Sequence, residues 1–276
     1  MVLEADERQR LKQKANQIRQ EIVKITYTCG GAHIGGSLSQ TDIMVALYYK
    51  YLKFDPKNPE WEERDRFLLS KGHGGVGHGA VLADVGFFAR SELDDFNKTG
   101  SPFGMHLDRL KVKGVDASTG SLGHGLGIAN GMAYGARLLG KAWRTYVLLG
   151  DGELTGGPTG EAAMAAGHSK RANLTALVDR NHLCSDGSTE DIMSIEPLRE
   201  KWETFGWNAL EIDGHDFDQI CEAIEAAHQE TERPTVIVAS TIKGKGVDFM
   251  ETQPSWHSGG LAEAMQEQAL EALRKE

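Results

Sequence analysis

Little in this sequence points to a membrane, an oxidising compartment or a nucleic acid. The three cysteines, Cys29, Cys184 and Cys221, are odd in number and lack metal-ligand spacing. They exclude a disulfide framework and fit a reducing cytoplasm. No apolar run approaches the length of a membrane span, and the opening residues Met1 to Arg8 are charged rather than signal-like. Positive charge is in deficit, 30 Lys and Arg against 40 Asp and Glu, for a formal net charge of −10. That balance argues against nucleic acid as the main partner. It also means that any anionic ligand has to be held by local positive features.

What is present suits one large α/β domain over residues 1–276. Leu11, Ala15, Ile18, Ile22 and Ile25 recur at helical spacing between Glu4 and Thr26. A more apolar helix is expected from Thr41 to Leu52, stopped by Asp55 and Pro56. Strands are expected at Arg144–Gly150, Leu174–Asp179, Asn208–Ile212 and Pro234–Ala239. Helices are expected at Glu161–Lys170, Asp216–His228 and Leu261–Glu276. Such alternation implies a mostly parallel sheet with helices on both faces. Glycines crowd between Gly72 and Gly86 and again from Gly120 to Gly140. Gly127, Gly131 and Gly135 would form one bare helix face, open to close approach by the sheet or a partner helix. A dinucleotide fingerprint fits poorly here, because Asn130 occupies the last glycine position and no strand precedes it.

The most informative pair is Asp151 and Asn181. Each follows the end of one of two consecutive strands, and parallel strands open on the same carboxyl edge, where open α/β folds place their ligands. Both can then reach one hard cation, while Gly150 and Gly152 let a phosphate approach the backbone. Mg²⁺ suits this pattern, with the backbone carbonyl of Leu183 as a third oxygen and phosphate and water completing its shell. Taken singly, Asp151 also reads as a helix cap and Asn181 as a turn residue.

With Gly150, Asp151, Gly152 and Asn181 in view, the sequence resembles the thiamine-diphosphate signature. Its surroundings are similar to the N-terminal half of transketolase, in the form encoded as a separate subunit. The matching segments run in the family's order: His33–Ser39, Asp65–His73, Gly114–Gly123, Gly150–Leu154, Val178–Asn181, Ile212–Asp216, Lys243–Gly246, and finally Trp256 with His257. The resemblance implies a thiamine-diphosphate-binding fold and transfer of a two-carbon ketol unit from a ketose, phosphorylated or otherwise anionic, to an aldose. By the same resemblance His73 contacts the cofactor diphosphate. His33, His106 and His257 face the substrate hydroxyls and reacting carbonyl, with His257 also near the cofactor. Gly120, Ser121 and Leu122 meet the aminopyrimidine, and Gly152, Glu153 and Asn181 belong to the diphosphate end. His78, His124, His168, His182 and His228 have weaker claims, and His215 reads as structural.

In this family the glutamate that activates the cofactor belongs to a second, pyrimidine-binding domain. The sequence stops about where a full-length transketolase would enter that domain. The expected partner is therefore a C-terminal pyrimidine-domain subunit, in a heterotetramer. Several positions depart from the family. Ala32 and Ile34 flank His33 in place of Gly and Pro, and Gly156 stands where a glutamate is usual, although Glu161 is kept. His124 replaces a common glutamine, and Cys184 with Ser185 replaces a more apolar pair. These departures suggest a branch with a specialised substrate. Two alternatives stay open: another thiamine enzyme of the 2-oxo acid dehydrogenase or deoxyxylulose-phosphate synthase type, and a non-catalytic scaffold subunit.

Overall fold

The computed structural model describes residues 3–275. Met1 and Val2, part of the charged opening run, and Glu276, expected to end the last helix, lie outside the described residues. The elements are, in order, α1 (Ala5–Thr28), α2 (Ile34–Ser39), α3 (Thr41–Ala46), β1 (Arg66–Leu69), α4 (Gly75–Asp84), α5 (Gly125–Leu138), β2 (Thr145–Gly150) and α6 (Gly157–His168). They continue with β3 (Leu174–Arg180), α7 (Thr189–Met193), α8 (Leu198–Thr204), β4 (Asn208–Asp213), α9 (Phe217–Gln229), β5 (Thr235–Ser240) and α10 (Glu263–Lys275).

The five strands form one parallel sheet in the order β1-β2-β3-β5-β4. Alternate residues face opposite sides, as a period of two demands. Phe67, Leu69, Tyr146, Leu148, Leu177 and Ile237 enter a core shared with α1, α3, α4, α9 and α10. Leu68, Val147, Leu149, Ala176, Val178 and Val236 enter a second core with α5, α6 and α8. Both faces are thus covered, which an all-parallel sheet requires. Among the described residues no helix is long and apolar enough to cross a membrane.

The expected elements recur with shifted ends, and three differences have physical causes. The helix expected over Thr41–Leu52 is α3 followed by a π-helical turn at Leu47–Tyr51. Helix α6 begins four residues before Glu161, because Gly156 adopts an extended N-cap conformation and Pro158 sits in the first turn, where its missing N–H costs nothing. The glycine stripe of α5 does not meet the sheet. Leu126, Ala129, Ala133 and Ala136 face inward instead. A Cβ on Gly127 would touch only Ala162, at 3.9 Å, and one on Gly131 or Gly135 would meet nothing within 4 Å.

Candidate active site

Register decides what meets at the carboxyl edge. Gly150 of β2 pairs with Asp179 of β3, and Arg180 pairs with Ser240 of β5. Asp151, Asn181 and the Thr241–Lys243 stretch therefore leave the sheet side by side. Together with the start of α2 and the stretches at 71–73, 106 and 120–122, they enclose a cavity of about 380 Å³.

Three oxygen-bearing residues, Asp151, Asn181 and Leu183, line it. The Asp151 carboxylate is 2 % exposed. It accepts from the N–H groups of Gly152 (2.8 Å) and His182 (2.6 Å) and from Nη1 of Arg180 (3.1 Å). A carboxylate has about four acceptor positions, so one remains. The Asn181 Oδ1 accepts one bond, from the Leu183 N–H at 3.2 Å. The Leu183 carbonyl likewise accepts one, from Nζ of Lys243 at 3.1 Å. Burial, with Asp179 nearby, raises the Asp151 carboxyl above its usual range, the signature of a negative charge short of compensation. Three hard oxygens with acceptor capacity to spare fit Mg²⁺ completed by phosphate and water. Among the described residues, no three His, Cys, Asp or Glu side chains converge to hold a metal, so a cation here would rest on one carboxylate with amide and backbone oxygens.

Two lysines line the same cavity, each 2 % exposed. Lys71 Nζ donates to the Gly36 carbonyl at 2.8 Å and pairs with Asp179. The Asp179 carboxylate also accepts from Ser39 and Thr241. Lys71 and these hydroxyls outweigh its burial and hold it below the usual carboxylate range. Lys243 donates to the carbonyls of Leu183 and Cys184 and to Nδ1 of His257 at 3.2 Å. Burial, and then the charge of Lys71, bring it down to about 8. Glu153 is a fastener: Oε1 accepts from Ser70 Oγ (2.5 Å) and Gly123 N (3.1 Å), and Oε2 from Gly150 N (3.0 Å). One buried carboxylate thus joins the ends of β1 and β2 to the loop before α5.

Four imidazoles line the same cavity. The ring of His33 lies 5.1 Å from that of His73, 5.2 Å from His257 and 6.2 Å from His106. His73 and His257 are 5.2 Å apart. Burial, then Lys71, pushes His73 down to about 2. Burial, then Lys243, takes His257 to about 4. Burial and the neighbouring His106 also lower His33. These three are neutral near pH 7, so each offers one donor and one acceptor. Nδ1 of His33 is buried and has no partner. His106 packs on Gly120, where φ is +140° and a Cβ would come within 2.8 Å of the imidazole. Only glycine suits that position.

The cavity brings together His33, His73, His106, His257, Gly120, Leu122, Asp151, Gly152, Glu153, Asn181 and Leu183. Ser121 is exposed and does not line it. Lys71 and Lys243 are functional candidates that the sequence alone did not single out. Each stands in a segment that matches the family, but nothing in a lone lysine signals burial. Of the other histidines, His215 is held at both nitrogens, by Asp42 (2.6 Å) and the Ile242 N–H (2.9 Å), and His78 is buried against the Tyr48 hydroxyl.

A parallel sheet with such a pocket at its carboxyl edge has clear relatives. The family described as transketolase, thiamine diphosphate binding domain, matches residues 11–275. The chain belongs to the transketolase family, as a thiamine-diphosphate-binding subunit. It is 41 % identical to the 6-deoxy-6-sulfo-D-fructose transketolase subunit of Clostridium sp. (strain MSTE9), over 96 % of this chain and 97 % of that protein. It is 39 % identical to an apulose-4-phosphate transketolase subunit of Actinobacillus succinogenes, over 96 % of each. Transketolase from Campylobacter jejuni superposes with a TM-score of 0.90 at 30 % identity, covering 96 % of this chain and 43 % of that one. The chain thus spans less than half of the full-length enzyme but nearly all of the subunit-type relatives.

Proposed function

We propose that this chain supplies the diphosphate half of a split transketolase and works with a separate pyrimidine-domain subunit. The observation that carries the reading is one cavity lined by hard oxygens, two buried lysines and four imidazoles. Asp151, Asn181 and Leu183 would hold Mg²⁺, while Lys71, Lys243, His73 and the Gly152 backbone face the diphosphate. When bound, thiamine diphosphate supplies the electron sink that ketol transfer needs. His33, His106 and His257 then orient the sugar hydroxyls, and stabilise and relay protons at the reacting carbonyl oxygen, with His33 and His257 uncharged near pH 7.

The need for a partner follows from the carboxylates. Among the described residues lining the cavity these are Asp151 and Glu153, one committed to the metal end and the other already accepting three bonds. Neither is left to protonate a pyrimidine nitrogen. Two such chains with two partners would form a heterotetramer with active sites between subunits. The three free cysteines support a cytoplasmic setting. The subunit-type relatives carry the names of a sulfonated ketose and a phosphorylated one, so ketoses with an anionic terminus are the first donors to try.

The test is reconstitution. Purified alone with Mg²⁺ and thiamine diphosphate, the chain should transfer no ketol unit from 6-deoxy-6-sulfo-D-fructose, apulose 4-phosphate or fructose 6-phosphate. Adding a pyrimidine-domain chain should bring turnover on at least one. Robust turnover by the chain alone would overturn the split reading.

A further inference from the structure

Arg180, the last residue of β3, has a side chain only 4 % exposed. Nε donates to Glu196 Oε1 at 3.1 Å. Nη1 donates to Asp151 Oδ2 at 3.1 Å and Thr189 Oγ1 at 2.7 Å, and Nη2 to Glu190 Oε1 at 3.0 Å and Glu196 Oε1 at 2.8 Å. A guanidinium has five N–H bonds, so all of them are used. On one side is the carboxylate at the metal end. On the other are residues at the start of α7 and just before α8, which close segment 182–196. That segment carries the Leu183 and Cys184 carbonyls into the cavity. Its outer face is open, with Ile192 50 % and Met193 59 % exposed, and α7 is only five residues long.

We propose that Arg180 is a positioning residue that fastens segment 182–196 to Asp151 before metal and cofactor arrive. The inference rests on Asp151, Asn181 and Leu183 forming the metal end. Three carboxylates face one guanidinium, so a cation on the spare acceptor of Asp151 leaves Arg180 fully paired with Glu190 and Glu196. The clasp therefore survives loading. With the segment fastened beforehand, its ordering is complete at folding and does not weaken binding. Lysine cannot substitute, because an ammonium has three donors and no planar fork to span the β3 end and both glutamates.

The experiment compares the full-length chain with Arg180→Met, Arg180→Lys and Glu190→Ala/Glu196→Ala by hydrogen exchange, without metal or cofactor, and by calorimetric titration with Mg²⁺ and thiamine diphosphate. In the wild type the amides of 183–196 should be protected in the free protein. Arg180→Met should expose them while β2 stays protected, and should weaken cofactor binding roughly tenfold to a hundredfold, as loss of a buried charge-assisted contact implies. Arg180→Lys should not restore either quantity. In the reconstituted enzyme at saturating cofactor, kcat should fall much less than affinity. The double glutamate variant leaves β3 intact and should show the same pattern, so a failure of Arg180→Met to fold does not shield the idea. Equal exchange of 183–196 in wild type and variants would overturn the clasp, as would exposed amides with unchanged affinity. Unchanged affinity in Asp151→Ala would instead refute the metal site, a separate result, because exchange is read without metal.

Discussion

Lys243 places its ammonium 3.2 Å from Nδ1 of His257. An ammonium can only donate, so Nδ1 is the acceptor and Nε2 carries the ring hydrogen. The lysine therefore sets the tautomer of an imidazole that lines the cavity and, after burial, does most to keep it uncharged.

Removing that lysine should release the imidazole. A nearby positive charge disfavours a second one, and Lys243 is the largest influence on His257 after burial. In Lys243→Met the imidazole should titrate above its value of about 4, moving toward the ordinary histidine range. Proton NMR of the ring Cε1–H against pH measures this directly. A midpoint that stays put would mean that burial alone sets it.

Asp151→Ala should abolish metal-dependent binding of thiamine diphosphate, a loss on the order of several kcal/mol for a charged ligand beside a diphosphate. Calorimetry with Mg²⁺, and with chelator added, separates this from residual cofactor contact. The wild type with chelator should resemble the variant with metal. Equal affinity of wild type and variant in Mg²⁺ would remove Asp151 from the metal end.

The histidines should divide into two kinds. His73→Ala should mainly weaken cofactor binding, because its proposed partner is the ground-state diphosphate. His106→Ala and His257→Ala should mainly lower kcat, since their proposed contacts strengthen as charge develops on the reacting oxygen. Steady-state rates across cofactor concentrations read the two losses apart. Reduced turnover in His73→Ala at saturating cofactor, with affinity unchanged, would reverse the assignment.

The open face of α5 is the candidate surface for the partner. Ile128, Tyr134 and Leu138 are 39 %, 44 % and 67 % exposed there, beside bare Gly131 and Gly135. The patch lies on the helix that follows Leu122, which lines the cavity while 47 % exposed. Leu138→Glu should prevent assembly with the pyrimidine-domain chain while changing the isolated chain's stability by about 0.5 kcal/mol or less. Sedimentation of the mixture, with urea unfolding of each chain, checks both halves.

Much of this arrangement was legible in the residues, because strand–helix alternation is a strong signal and Asp151 and Asn181 follow strand ends. What escaped did so for physical reasons. Strand β1 has four residues and no polar alternation, so Arg66–Leu69 carried no strand signal of its own. Helix α4 contains Gly75, Gly77 and Gly79, poor helix formers held by close packing: a Cβ on Gly75 would come within 2.6 Å of the Met105 carbonyl. Ser121 and Leu122 are neighbours in sequence, yet only Leu122 lines the cavity. Lys71 is buried because Asp179, more than a hundred residues away, neutralises it, and a pairing so distant leaves no local trace. The family resemblance points to His33, His73, His106 and His257 as one group, and the rings of the other three lie 5.1 to 6.2 Å from that of His33.

The common direction of all five strands leaves the molecule with a working rim and an idle one. The turn before β5 exposes Thr231, Glu232 and Arg233, and six residues of strand separate it from Thr241. At about 3.3 Å per residue that is roughly 20 Å. A dye or a surface tether attached at Thr231 would thus report on, or immobilise, the protein without crowding the pocket mouth.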